Sequence, residues 1–257
     1  MANTIVIYTC LVGGYDKLMQ PLAKAEDFDF ICFSNDFSVK QIGVWTIRPL
    51  PILKNLNNTR LSRFAKILPH LVLSDYVFSL YIDSNVQILT NELYGIVRNL
   101  ASRDVLIAQV PHPFRDCIYN DIRISYRLRK VSLLDARRQY HHLKSSGFPK
   151  HYGLFENNII FRKHNSKVVA EVSNAWWKEY LLYCQRDQFC LMFVYWQRGL
   201  NPEFLLGDGK NTRNVRCLKY VKHPREVKGL LRYPLFRKCY LLFHSRIRLL
   251  PAIIFIR

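Results

Sequence analysis

Acidic residues are scarce in this chain: 19 Asp and Glu stand against 38 Lys and Arg, a formal net charge of +19. Such a surface disfavours cationic partners and favours phosphates, nucleic acids or anionic lipid. The seven cysteines, Cys10, Cys32, Cys117, Cys184, Cys190, Cys217 and Cys239, are odd in number and contain no Cys-x-x-Cys spacing. This argues against a zinc ribbon, a redox dithiol or a disulfide framework, and leaves reduced core thiols in a cytosolic protein as the expectation. No uninterrupted apolar run approaches the roughly 20 residues that a spanning helix needs. Glycines and prolines are few and scattered, so neither a flexible linker nor a low-complexity segment is expected, and no internal repeat is evident. The first apolar run, Ile5-Val6-Ile7-Tyr8, has no basic segment before it and leads to Gly13-Gly14, which suits a first strand better than a signal peptide. Export is therefore not expected.

What is present is a long, apolar, aromatic-rich chain. At 257 residues with 49% hydrophobic side chains, it can bury one large core. The positive charge is concentrated at one end: from Lys210 to Arg257 there are thirteen Lys or Arg against the single acid Glu226, twelve of the nineteen excess charges. In the same stretch large apolar residues alternate with arginines, a composition suited to lying on an anionic membrane face. A C-terminal helix covering the core with a solvated basic face fits the same composition. Residues 1–222 are read as one domain, and 223–257 as a basic amphipathic helical tail packed on the domain or on the membrane surface.

Strand signals at Thr4-Tyr8, Phe28-Phe33 and Trp45-Arg48 precede a helix through Leu68 that Asn58 and Thr59 are placed to cap and that ends near Pro69. Further on, the strand Val77-Ile82, a helix at Glu92-Leu100, a strand at Asp104-Val110 and a helix around Asp121-Tyr140 continue the alternation. Strands alternating with helices predict an α/β fold: a Rossmann-like, mixed and mainly parallel sheet with helices on both faces. Leu154-Arg162 reads as a later strand, polar at its start, followed by a helix at Ser166-Tyr183 with one of Trp176 and Trp177 in the core and the other at its rim. Phe189-Trp196 reads as a buried helix, with Asp187 a natural cap for its start.

Asp83 closes the apolar strand Val77-Ile82, where an α/β sheet opens onto its ligand. In Asp83-Ser84-Asn85 a carboxylate and an amide two residues apart reach the same side of an extended backbone and can share a hard divalent cation. The plainer reading is a turn Asp bonding its own backbone. Arg60, Arg63 and Lys66 recur at every third position of their helix, as a phosphate-facing row or as a solvated face.

Taken in order, Tyr8-Thr9-Cys10-Leu11-Val12-Gly13-Gly14-Tyr15-Asp16, Lys66-Ile67-Leu68-Pro69-His70, Tyr81-Ile82-Asp83, His112-Pro113-Phe114-Arg115-Asp116-Cys117-Ile118-Tyr119, Gly153-Leu154-Phe155-Glu156-Asn157-Asn158 and Asp187-Gln188 form a connected set. This set resembles a glycosyltransferase-like family long catalogued as a domain of unknown function, found in bacterial polysaccharide loci and plant Golgi proteins. The resemblance runs from about Tyr8 to about Trp196.

The resemblance implies a GT-A fold in which Asp83 matches the acid of the motif that holds a divalent metal, Mn²⁺ or Mg²⁺, and the donor diphosphate. Asn85 stands where a second carboxylate is usual, which weakens the metal site and leaves Arg60, Arg63 and Lys66 to offset the diphosphate charge. By position Thr9, Leu11 and Asp36 fall at the nucleoside of a nucleotide-sugar donor, expected to be a UDP-sugar, and His223 is the candidate to complete the metal shell. Asp187 and Glu156 are the candidate catalytic carboxylates, with His112, Arg115, Asn157 and Gln188 at the sugar or acceptor.

The resulting expectation is a hexosyltransferase acting on a glycan or lipid-linked acceptor in surface polysaccharide biosynthesis, lipopolysaccharide or capsule. It would be cytoplasmic and peripheral at the inner face of the plasma membrane. A non-catalytic sugar- or nucleotide-binding protein of the same fold is the alternative. A nucleic-acid-binding protein would also explain the charge, but no helix-turn-helix, zinc or RNA-binding signature is present and no specific nucleic acid is expected.

Overall fold

The computed structural model describes residues 4–51, 56–183 and 186–221. Five of the first strands are β1 (Ile5–Cys10), β2 (Phe28–Phe33), β3 (Gln41–Ile42), β4 (Trp45–Arg48) and β5 (Phe78–Ile82). The helices α1 (Asn58–Ile67) and α2 (Pro69–Val72) precede β5, and β6 (Val86–Ile88) and α3 (Glu92–Ser102) follow it. Then come β7 (Ile107–Pro111), α4 (Ile118–Arg127), α5 (Leu133–Ser145), β8 (Phe155–Arg162) and α6 (Lys167–Leu182). A one-turn 3-10 helix (Asp187–Phe189), α7 (Leu191–Gln197), β9 (Glu203–Phe204) and β10 (Leu218–Tyr220) complete the described elements.

The main sheet has eight strands in the order β3-β4-β2-β1-β5-β8-β7-β9. Only β3 and β8 run against the others, so the sheet is mixed and mainly parallel, as expected. The two-residue period of β1 places Val6, Tyr8 and Cys10 on one face and Ile5 and Ile7 on the other. The first face packs on side chains of α1, α4, α5, α6 and α7, the second on Leu93, Tyr94, Val97 and Leu100 of α3. Helices cover both faces, which is why the central strands are apolar throughout and lack the polar alternation of a half-exposed sheet.

β8 is out of step with its two neighbours. Against β5, Ile82 pairs with Ile159, whereas against β7 the register jumps between Gln109, opposite Ile160, and Val110, opposite Glu156. This bulge pushes Asn157 and Asn158 out of the β7 ladder beside the end of β5.

Two local expectations need correcting. The helix expected around Asp121-Tyr140 is two helices, because α4 ends with Arg129 in the left-handed region (φ 54°) and Ser132 caps α5 by accepting from the Asp135 amide at 3.1 Å. Asp187 does not cap α7: the cap position is Cys190, which makes no side-chain cap bond, and the Asp187 carboxylate is spent on ion pairs. Trp176 is buried and Trp177 half-buried against Phe64, as read from the sequence. Cys10, Cys32, Cys117, Cys190 and Cys217 are free and buried. The basic tail from 223 lies outside the described residues, as do Cys184 and Cys239. Among the described residues no helix is long and apolar enough to cross a membrane.

Candidate functional site

The carboxyl ends of β1, β2, β5 and β7 and the amino end of β8 share one edge of the sheet, where open α/β sheets bind ligands. Asp83 leaves β5 there. Its amide donates to Asn158 O at 2.8 Å and its carbonyl accepts from Val86 N at 2.9 Å, so residues 83–86 form a tight turn. The extended backbone expected for Asp83-Ser84-Asn85 is therefore corrected. Asn85 is buried, its side-chain nitrogen donates to Val221 O at 2.7 Å, and its backbone O accepts from Val221 N at 2.8 Å. Asn85 thus fastens the end of β10.

Around Asp83 the charges are built in pairs. The Tyr81 hydroxyl donates to Asp83 Oδ1 at 2.7 Å, and Lys66 Nζ lies 3.3 Å from the same oxygen and 2.9 Å from Asp187 Oδ2. Arg63 Nε stands 3.3 Å from Asp187 Oδ1. Lys66 sits in the last turn of α1, which Asn57 caps by accepting from Arg60 N at 2.9 Å. Its carbonyl accepts from Arg162 at 2.6 Å and from the Tyr8 hydroxyl at 3.3 Å, which pins the helix end over β1 and β8. The Lys66 side chain is only 3% exposed, so the row Arg60, Arg63, Lys66 is no solvated face. Burial pushes the Asp187 carboxyl up, but Lys66, Arg63 and Arg186 outweigh it and hold the group well below the ordinary carboxylate range. Burial, reinforced by the Asp83 charge, drives the Tyr81 phenol well above its ordinary value and keeps it a donor.

The loop after β1 reaches across to its neighbours. Gly14 N donates to Asp36 Oδ2 at 3.0 Å, and Ser84 Oγ donates to Asp16 Oδ2 at 3.1 Å, so the loops after β1, β2 and β5 are tied together. Gly13 sits at φ +76°, a left-handed backbone that favours glycine, where the loop approaches the start of α1 at Asn58. Asp36 is exposed at this edge, whereas Thr9 and Leu11 are buried in the β1 core; of the three expected at the nucleoside, only Asp36 offers an accessible side chain. Arg60 Nε, Asn157 Nδ2 and Asn158 Oδ1 are buried with no hydrogen-bond partner among the described residues.

A second region opens beside β7. Its cavity, about 630 Å³, is lined by His112, Phe114, Arg115, Tyr152, Phe155, Met192, Pro202 and Phe204 among others, and by none of the charged cluster around Asp83. His112 Nδ1 accepts from Phe114 N at 3.2 Å, and Arg115 meets both His112 Nε2 at 3.0 Å and the fully buried Asp121 at 2.7 Å. Burial, then the Arg115 charge, lower the His112 imidazole to about 4, so it is neutral at pH 7. Between the two regions lie Glu156, clamped by both Arg213 terminal nitrogens with one contact at 2.8 Å, and Gln188, which accepts from Asn157 N at 3.3 Å. Gln188 also donates to Phe155 O. Both predicted catalytic carboxylates are therefore ion-paired.

The described residues do not by themselves fit a protein-built divalent-metal site. Asp83 Oδ1 is taken by Tyr81 and Lys66, and no three His, Cys, Asp or Glu side chains converge among the described residues. His223, the expected additional ligand, lies outside them. Sequence reasoning missed Tyr81, Arg162 and Arg213 as site builders. Tyr81 stands two residues before Asp83 and could have been inferred from that spacing; the two arginines meet their partners only through the fold.

The chain is similar to several solved structures. The apo structure of WbbM, a bifunctional glycosyltransferase, shares 13% identity at a TM-score of 0.47, over 79% of this chain and 38% of that one. Core-mannan synthase A (CmsA/Ktr4) from Aspergillus fumigatus, in a Mn/GDP form, shares 8% at 0.46, over 75% and 69%. Mouse xyloside xylosyltransferase 1, in apo form, shares 10% at 0.43, over 78% and 83%. No curated protein matches the chain. The family described as TOD1/MUCI70, glycosyltransferase-like domain, matches residues 1–206, and with most of its length so covered the chain belongs to that family.

Proposed function

We propose that the chain is a nucleotide-sugar-dependent glycosyltransferase, transferring a hexosyl group from a UDP-sugar type of donor to a glycan or lipid-linked acceptor in surface polysaccharide biosynthesis. The observation that carries this reading is the cluster of Arg63, Lys66, Asp83 and Asp187 at the carboxyl ends of parallel strands. With Arg60 it holds three cations against two anions, a net attraction for a diphosphate.

In this reading the loops tied by Asp36 and Gly14 receive the nucleoside, and the diphosphate lies against Arg60 and Arg63 with the Lys66 charge behind Asp83. The bond from the anomeric carbon to the diphosphate oxygen breaks, its electron pair leaves on the diphosphate, and the cationic row stabilises that charge in place. The acceptor hydroxyl, held in the cavity beside His112 and Arg115, attacks the anomeric carbon, and its proton passes to the departing diphosphate oxygen. Because Asp187 is held ionised by two cations, its role here is to orient Lys66 and Arg63. The reading includes a cytoplasmic location, peripheral at the inner face of the plasma membrane.

A thermal-shift screen of nucleotides and nucleotide-sugars, with and without Mn²⁺, tests the donor assignment: selective stabilisation by a nucleoside diphosphate or its sugar is expected, and none by any of them rejects it. The pairing of both candidate acids favours one other reading, a protein that binds a nucleotide-sugar without transferring it. Product formation separates the two.

A further inference from the structure

The turn between α4 and α5 carries a surface that the site does not use. Within residues 127–138 lie Arg127, Arg129, Lys130, Arg137 and Arg138, all exposed, against one acid, Asp135, which is spent on the Ser132 cap at 2.7 Å. Three leucines stand out of the same knuckle: Leu128 at 46%, Leu133 at 38% and Leu134 at 66% exposure. Leu134 and Leu133 open α5, whose inward face is instead supplied by Ala136, Gln139 and Leu143.

The backbone here is also costly. α4 closes with Lys130 N donating to Ser125 O at 2.9 Å and Arg129 N to Tyr126 O at 2.8 Å, the pattern that ordinarily places glycine in the left-handed position. The residue in that position is Arg129, φ 54°. A side chain is thus carried where none is sterically favoured, and it is a cation.

We propose that this knuckle docks the protein on an anionic lipid bilayer, its leucines entering the headgroup boundary and its five cations meeting lipid phosphates. Charge selects this occupant. A second copy of the chain carries +19, and the chain's own final stretch is strongly basic, so both are repelled; the partner must be anionic. Nucleic acid is anionic too, but single-strand binding surfaces use aromatic platforms for the bases, and the exposed apolar side chains of the knuckle are aliphatic. Aliphatic side chains ringed by Arg and Lys are what an acyl-phosphate boundary accepts. α4, ten residues and so about 15 Å long, connects the knuckle to the loop carrying Phe114 and Arg115 of the cavity. Docking there would hold the cavity near the membrane surface.

The test is co-sedimentation of the full-length chain with phosphatidylcholine vesicles, with and without phosphatidylglycerol. Wild type is expected to pellet with the anionic vesicles in a salt-sensitive manner. The triple variant Leu128→Ser, Leu133→Ser, Leu134→Ser is expected to partition at least about tenfold more weakly, and Arg127→Gln, Arg129→Gln, Lys130→Gln to fall similarly with a shallower salt dependence. All six positions are exposed, and an unchanged thermal midpoint confirms that folding is intact. Equal partitioning of wild type and the leucine variant overturns the proposal and assigns any binding to other basic segments. So does a knuckle-dependent retention on single-stranded RNA without retention on vesicles, or a concentration-dependent dimer that the leucine variant abolishes.

Discussion

The two halves of the cleft are built on opposite principles. Around Asp83 the side chains are charged and mutually paired, with Lys66 buried at 3% exposure between two carboxylates and Asp83 itself half-buried. Beside β7 the wall is aromatic and open, Phe114 being 76% exposed, and the one imidazole there is neutral. A fixed array of charges costs no reorganisation when negative charge develops, whereas apolar walls with few polar groups read shape. Under the proposed function the contrast divides the labour: a preorganised charged floor for the diphosphate and an adaptable apolar wall for the acceptor.

The contrast is broken most severely at Asp187. Asp187→Ala leaves Lys66 and Arg63 without their counter-charge; a loss of about 3–5 kcal/mol in urea unfolding and of all measurable transfer is expected, with Asp187→Asn milder in stability. A variant as stable and active as wild type would show that the charged floor is decorative. Lys66→Met comes next. It should weaken nucleoside diphosphate binding by roughly 10–100-fold in calorimetry, while adding EDTA to the wild type changes the same affinity less than about tenfold. A strict Mn²⁺ requirement for binding would move the essential cation from the chain to a metal.

The pH response sharpens the other half. His112 is lowered from 6.5 to about 4, so in that window the unfolded chain binds the proton that the folded chain refuses. Stability is therefore complete above about pH 6.5 and is lost as pH falls toward 4, by roughly 3 kcal/mol at most. His164, buried elsewhere and also lowered to about 4, contributes a slope of the same sign. His112→Gln should flatten the stability curve in part, and His112→Gln with His164→Gln further, with His70 leaving a residual slope of the same sign; an unchanged slope in the double variant would contradict the burial of these imidazoles. The smallest effect is expected from Phe114→Ala: the acceptor KM rises severalfold, donor affinity stays constant, and stability moves within about 0.5 kcal/mol.

Much of the scaffold was legible because it depends on local periodicity. β2 and β4 fall at the expected residues, α1 is found but capped by Asn57 and not by Asn58 or Thr59, and Asp83 stands at a strand end on the ligand-binding edge. The α4–α5 break was not legible, since it uses Arg129 in place of the glycine that normally signals such a stop. Asn85 failed for a related reason: a two-residue spacing implies a shared side only if the backbone stays extended, and residues 83–86 turn. The pairing of Glu156 with Arg213, 57 residues away, and of Lys66 with two acids on different elements depends on the closed fold, which no spacing rule encodes.

The bulge in β8 has a consequence for how this chain can vary in length. Because Ile159 is locked against β5 while Glu156 is locked against β7, residues 156–159 work as a fixed spacer between the charged floor and the apolar wall. Gln109 reinforces it, donating to Asn157 Oδ1 at 3.1 Å while accepting from the Tyr195 hydroxyl at 2.5 Å. Surface loops tolerate insertion, but one residue gained or lost here would turn every following β8 side chain to the opposite face of the sheet. This short run is thus the ruler between the two regions, and under the proposed function it sets the separation between donor and acceptor.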